Sequence, residues 1–281
     1  LEYIFPEYKN VKYLAVVCNL NAYFYPSLAE VEAYEQYGEV VPQQKPVSIT
    51  GWNADVIAEA KPAKSHSNMV LDDQGWVLYS DAVDSEGAIA SSDGIVSTKA
   101  GTTFKLADYT TNNALVMKTA GEQNELSFDT PSRCEEVYLL ALSTNGTSKL
   151  DVIANYVDGS TSEKNSFSIN DWCNRYPSGE AKKGLSRIIT KDRGIYDEDD
   201  IDWNYQIALY ELVLPTDVNK TIKSLTLTST ESGKYPIILA VSKKASKNLP
   251  PVDGIENVEN RPTTNVVTGI YTINGMKVSS L

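Results

Sequence analysis

LDVIANYVDGSTSEKNSFSINDW, residues 150–172, reads as strand, turn, strand. Val152, Ala154 and Tyr156 alternate with Ile153, Asn155 and Val157, and side chains two apart share one face of a pleated strand. Asp158-Gly159 is a hairpin turn signal, because glycine reaches positive φ at no steric cost. A polar crossing follows, then Phe167-Ser168-Ile169 and Asn170-Asp171-Trp172. An antiparallel pair with a polar turn and a solvated face predicts a β-sandwich. It predicts an architecture and no catalytic chemistry.

Outward from this pair, similar short runs continue in both directions. Strands are predicted over 47–50, 76–80, 94–97, 103–106, 114–118, 124–128, 136–143, 150–156, 162–169, 185–189, 205–214, 221–228 and 236–241. Asp93-Gly94, Thr144-Asn145-Gly146 and Asp158-Gly159 punctuate them. Many short strands without a sustained 3.6-residue period give an all-β class. A single short helical turn is expected from Asn53 to Ala60. Residues 39–46, EVVPQQKP, read as a linker because Pro42 and Pro46 disfavour regular structure. The main domain is expected over 47–245, a second polar linker over 246–262, and a final strand with an Asn274-Gly275 turn within 263–281. The chain opens inside an apparent strand and stops just after another, so it is expected to be part of a longer polypeptide.

Composition narrows the function classes. The chain has 281 residues, 42% of them hydrophobic, enough for a sizeable core. Tyrosine outnumbers phenylalanine 17 to 5, which suits strands with one dry and one wet face. The formal net charge of −12 argues against nucleic acid and anionic membrane as partners. No stretch approaches the roughly 18 apolar residues of a membrane span. Cys18, Cys134 and Cys173 are too widely spaced for a CxxC or a disulfide framework. His66 is the lone histidine, so Ser-His-Asp chemistry and histidine-rich metal sites have almost nothing to rest on. Phosphate loops, nucleotide fingerprints and metalloprotease helices are absent from the sequence.

Three groups of residues are candidates for a site. Acidic side chains crowd at Asp197-Glu198-Asp199-Asp200 and Asp202. Glycoside hydrolysis needs two carboxyls in distinct environments about 5–9.5 Å apart, and adjacent solvated acids are the opposite arrangement. They read as an exposed loop, with a calcium loop as the alternative. Asn53, Asp55 and Glu59 form the second group, with Asn53 or Asp55 capping the expected helical turn. The tryptophans form the third. Trp76 reads as core. Trp172, beside Asp171, and Trp203, between Asp202 and Asn204, fall at loop–strand junctions, where an indole can stack on a sugar ring. Asp171, Trp172, Trp203 and Asn204 are therefore the candidate ligand-binding residues, and their two loops are expected to share one rim. Arg175, Arg187 and Arg193 could pair with nearby acids or bind a ligand.

Several stretches resemble known families. ITGWNADVIAEA, DDQGWVLYS, NNALVMK, VYLLALSTNGTSKLDVIANYVDGS, INDW, GLSRI and YQIALYELVLP, in this order over 47–242, are similar to galactose-binding-like jelly rolls of exported bacterial proteins. That resemblance implies a jelly-roll β-sandwich flanking a separate catalytic domain. It also implies a structural calcium where the first and last strands meet, here resting on Asp55 and Glu59. SLAEVEAY, residues 27–34, resembles the closing strands of discoidin (factor 5/8 type C) domains and makes 1–38 the tail of an upstream module. IYTINGMKV, residues 270–278, resembles the hairpin that opens C-terminal sorting domains of secreted Bacteroidetes proteins. Together these imply a non-catalytic accessory module of a secreted or cell-surface protein. Its expected partners are carbohydrate and the upstream domain of the same polypeptide. A structural spacer is the alternative.

Overall fold

The chain divides into two units, Leu1–Glu39 and Val40–Leu281. The computed structural model describes residues 44–174, 177–204 and 206–245, together with the backbone of 270–271 and 277–278. The expected discoidin-like tail over 1–38 and the linker over 246–262 lie outside the described residues.

In chain order the strands are β1 (Gln44–Val47), β2 (Ile49–Thr50), β3 (Ile57–Ala58), β4 (Trp76–Tyr79), β5 (Ile95–Ser97), β6 (Thr103–Lys105), β7 (Leu115–Val116), β8 (Gln123–Ser132), β9 (Glu136–Thr144), β10 (Ser148–Tyr156), β11 (Asn165–Ile169), β12 (Lys182–Leu185), β13 (Ile188–Ile189), β14 (Ile207–Pro215), β15 (Ile222–Ser229), β16 (Tyr235–Lys244), β17 (Ile270–Tyr271) and β18 (Lys277–Val278). Two sheets dominate. The first runs β1-β16-β9-β14-β12, with β7 also on β16; the second runs β11-β10-β15-β8-β2. Their pairings are antiparallel, and the architecture is an all-β jelly-roll sandwich. The opening stretch behaves as its alternation demands: β10 pairs β11 with Leu150 opposite Phe167 and Val152 opposite Asn165. β17 and β18 pair antiparallel, with Ile270 opposite Val278; the expected Asn274-Gly275 turn lies outside the described residues.

The two sheets bury different numbers of faces. On β10, Leu150, Val152, Ala154 and Tyr156 are buried while Lys149, Asp151, Ile153 and Asn155 are more exposed. On β9, Val137 through Thr144 are all buried. Val137, Leu139 and Ala141 point into the core between the sheets, where they meet Leu150, Val152, Leu225 and Leu227. Tyr138, Leu140 and Leu142 point the other way, into a second core with Trp76, Leu78, Phe104 and Trp172. A third layer thus covers the outer face of the first sheet. It consists of the small sheet β13-β4-β3, the hairpin β5-β6 and the loops around them. On β16 a register shift between Ile238 and Ala240 re-aims the strand between these cores, as a β-bulge does.

Two expectations fail here. The helical turn over 53–60 does not form, because strand-type partners satisfy its backbone. Ala54 and Ala114 exchange hydrogen bonds of 3.1 and 2.9 Å, and Ile57–Ala58 lie parallel to β4. Nor does Asn53 cap a helix: its amide bonds both backbone groups of Val116, at 2.9 and 2.8 Å. The one helical turn among the described residues is 3-10, Ala63–Ser65. The linker over 39–46 ends early, since Gln44–Val47 pair with β16. Pro46 is tolerated there because β1 is an edge strand, where a missing N–H need not break a ladder.

Candidate functional site

Arg187 joins the predicted tryptophan loops. It lies between β12 and β13, with its side chain 13% exposed. Its guanidinium sits 4.3 Å from the ring centroid of Trp76 and 5.5 Å from that of Trp172. Arginine suits such a place because its planar, weakly hydrated cation packs on aromatic faces and still donates in plane. Nε and Nη2 each lie 3.1 Å from Asp202 Oδ2, and Nη1 lies 3.7 Å from Asp72 Oδ2. Asp72 also accepts the backbone N–H groups of Gln74 and Trp76 at 2.9 and 3.2 Å. Burial pushes the Asp72 carboxyl above its ordinary range, against these N–H groups and Arg187.

Asp202 transmits this centre to the surface. Its backbone N–H donates to Arg187 O at 2.9 Å. Its Oδ1 accepts the Asn204 backbone N–H at 3.2 Å and also the Asn204 side-chain amide. One carboxylate oxygen therefore holds the buried cation and the other pins the Asp202–Asn204 turn, on which Trp203 rides, 46% exposed. Among the described residues Ile95, Val157, Ile195 and Val213 are the other exposed large apolar side chains, which makes Trp203 the aromatic of that set.

The second tryptophan loop is brought to the same place but points inward. Trp172 is 2% exposed, and its expected role as a surface platform is corrected: it fills the core outside the first sheet, under Arg187. Its backbone is held as well, donating to Ser143 O at 2.7 Å and accepting from Ala208 N at 2.8 Å. Asp171 is a turn anchor. Its Oδ2 accepts Gly146 N at 2.6 Å and its Oδ1 accepts Cys173 N at 2.9 Å. Arg187, expected to pair with nearby acids or bind a ligand, pairs with Asp202; Asp72 is the residue that sequence reasoning missed. The run GLSRI held the signal, an arginine interrupting an apolar segment, but nothing local named its partners.

The acidic run is a self-tied loop. Asp200 accepts Asp197 N at 2.8 Å, Asp192 accepts Glu198 N at 2.8 Å, and Asp199 reaches across to Ala63 N at 2.7 Å. Within it Arg193 and Tyr196 exchange backbone hydrogen bonds of 2.7 and 3.1 Å, and Ile195 at the tip is 89% exposed. Trp52 is half-buried against the core between the sheets, and Arg175 lies outside the described residues.

Asp55 and Glu59, the expected calcium ligands, flank β3, which lies across β4 from β13 in the small sheet. Asp55 Oδ1 accepts Asn113 Nδ2 at 2.6 Å, an orientation fixed because Asn113 Oδ1 accepts Val56 N at 3.0 Å. Glu59 Oε1 lies 2.7 Å from His66 Nδ1, and Glu59 Oε2 is buried without a hydrogen-bond partner. Burial, seconded by the Glu59 charge and opposed by the Asn113 bond, pushes the Asp55 carboxyl up to about 6. No group of three or more His, Cys, Asp or Glu side chains among the described residues could hold a metal. Calcium takes about 6–8 oxygens, so an ion here would draw most of them from carbonyls or water. No helix among the described residues is long and apolar enough to cross a membrane, which leaves β-barrel insertion unaddressed.

No protein-family model matches the chain, and no curated protein matches it. Among solved structures the chain is similar to a mutant of the family 29 carbohydrate-binding module CBM29-2, at 10% identity over 60% of this chain and 94% of that one, TM-score 0.28. It is also similar to the CBM1 module of BiXyn10A, at 11% identity over 73% and 99%, TM-score 0.29. A third likeness is to the GH31 module CBM32-2 bound to GalNAc, at 11% identity over 72% and 97%, TM-score 0.28. At these scores the likenesses carry no argument about ligand or site.

Proposed function

We propose that the chain is a non-catalytic accessory module that binds neutral carbohydrate at the Trp203–Asn204 rim. One observation carries this reading: a half-exposed indole rides on a turn pinned by a buried ion pair, beside the Asn204 amide. A sugar ring can stack on the indole while amides and acids bond its hydroxyls. The net charge of −12 and the acidic loop at 197–200 favour neutral or cationic ligands over anionic ones.

The resemblances in the sequence support a secreted or cell-surface protein of Bacteroidetes type, with an upstream discoidin-like module and a C-terminal sorting tail; the β17–β18 pair fits the opening hairpin of such a tail. A structural calcium at Asp55 and Glu59 belongs to the same proposal. Its support is the buried Glu59 Oε2 without a partner. The second reading, a spacer that positions a catalytic domain, gains from the burial of Trp172 and the turn-anchoring of Asp171. A glycan array probed with the wild type and with Trp203→Ala separates the readings. Retention of neutral glycans by the wild type and loss by the variant supports the rim; no retention by either leaves the spacer.

A further inference from the structure

We propose that Arg187 is the positioning residue of the Trp203–Asn204 rim, a buried cation that sets the geometry of a turn whose ligand-facing groups it does not itself supply. The inference rests, for its ligand, on the reading of this rim as a carbohydrate site. Its structural part stands independently.

The geometry gives Arg187 no slack. Trp76 at 4.3 Å and Trp172 at 5.5 Å confine the plane of the guanidinium. The edge of the guanidinium is then aimed at two carboxylates that come from different loops, Asp202 at 3.1 Å and Asp72 at 3.7 Å. Asp72 is itself fixed by Gln74 and Trp76 N–H groups, so the cation is referenced to the rigid strand β4. Asp202 takes its orientation from that reference. The carboxylate is planar, so holding Oδ2 on the guanidinium fixes where Oδ1 meets Asn204. Charge-assisted bonds of this kind are short and directional. The two ends of the relay differ: Arg187 and Asp202 are nearly dry, while Trp203 and Asn204 are at the surface. A binding group on a loop gains its precision from such a supporting shell. Lysine would keep the charge but lose the flat stack and the two-point contact with Asp202.

The test compares Arg187→Met and Arg187→Lys, each with and without Trp203→Phe. Subtracting the emission spectrum of each Trp203→Phe variant from that of its parent isolates the Trp203 signal from the indoles that Arg187 touches. In Arg187→Met the Trp203 emission is expected to shift to longer wavelength and its quenching by acrylamide to rise, with Arg187→Lys intermediate. Affinity for a neutral hexasaccharide retained by the wild type is expected to fall about tenfold in Arg187→Met. An unchanged Trp203 difference spectrum and unchanged quenching in folded Arg187→Met overturns the proposal. Should Arg187→Met fail to fold, Asp202→Asn breaks the same ion pair while keeping an oxygen for Asn204, and its Trp203 spectrum decides in the same way. If the wild type retains no hexasaccharide, the carbohydrate reading falls, and the emission comparison still rules on Arg187.

Discussion

The two large sheets of this sandwich live in different surroundings. The second sheet keeps one face in water: Asp151, Asn155, Thr226 and Thr228 alternate with buried Val152, Ala154, Leu225 and Leu227. Its outer side chains satisfy one another. Asn155 donates to Ser224 and Thr226 at 3.0 and 2.8 Å, and Ser166 donates to Asp151 at 2.5 Å. Over much of its area the first sheet has no wet face, because a third layer covers it. That layer carries the Arg187 centre and the Trp203 rim. The difference teaches where a ligand site can be built in this molecule: a covered face can support buried charges that aim surface groups, whereas a polar open face is already bonded to itself.

Substitutions should feel that difference most strongly in the core. Trp172→Ala or Trp76→Ala opens a cavity under Arg187 and is expected to destabilise by about 3–5 kcal/mol. Thr228→Ala on the open face should change stability by no more than about 0.5 kcal/mol. Urea denaturation measures both, and equal effects would erase the distinction between the faces.

A smaller effect is expected at Asp55. Its carboxyl is raised to about 6 in the folded chain, first by burial, against an unfolded value of about 3.9. The native state therefore binds this proton more tightly than the unfolded state. The resulting stability is fully present below about pH 4 and is lost as pH rises to about 6. Asp55→Asn removes the buried charge and keeps an oxygen for Asn113. It should be more stable than the wild type above pH 6, by at most about 3 kcal/mol, with the difference vanishing near pH 4. Urea melts across that range check the sign. Calcium would reverse it, because an ion needs Asp55 ionised. In that case EDTA lowers the wild-type melting temperature, and unchanged melting removes the calcium.

The strands of both sheets were legible in the sequence, with 136–143, 205–214 and 236–241 of the covered sheet returning as β9, β14 and β16; the layer that covers that sheet was not. LDVIANY declares one wet face by alternation, and its pairing with β11 follows. EVYLLALST has no alternation, and such a run marks a strand buried on both faces; what buries it comes from residues far away in sequence. Trp172 was misplaced for that reason. A loop–strand junction is exposed only if nothing lies over it, and here Arg187 and the third layer do. NADVIAEA was misread because local propensity yields to pairing with Ala114 and β4. Trp203 was legible as a candidate, while the Arg187–Asp202 pair behind it depended on tertiary packing.

The smallest effect separates binding from folding. Trp203→Ala removes a surface indole and should weaken glycan binding by about 1–2 kcal/mol through lost apolar contact, leaving the melting temperature nearly unchanged. Calorimetric titration and thermal melting of the same variant check both halves.

The most direct test places the ligand on one side of the sandwich or the other. One neutral oligosaccharide retained by the wild type is titrated calorimetrically into Trp203→Ala and into a variant carrying Asp151→Ala, Asn155→Ala and Thr226→Ala on the open sheet. The expected result is weakened binding in the first and wild-type binding in the second. Wild-type binding by Trp203→Ala, with binding lost from the open-sheet variant, would contradict the assignment of the site to the Trp203 rim.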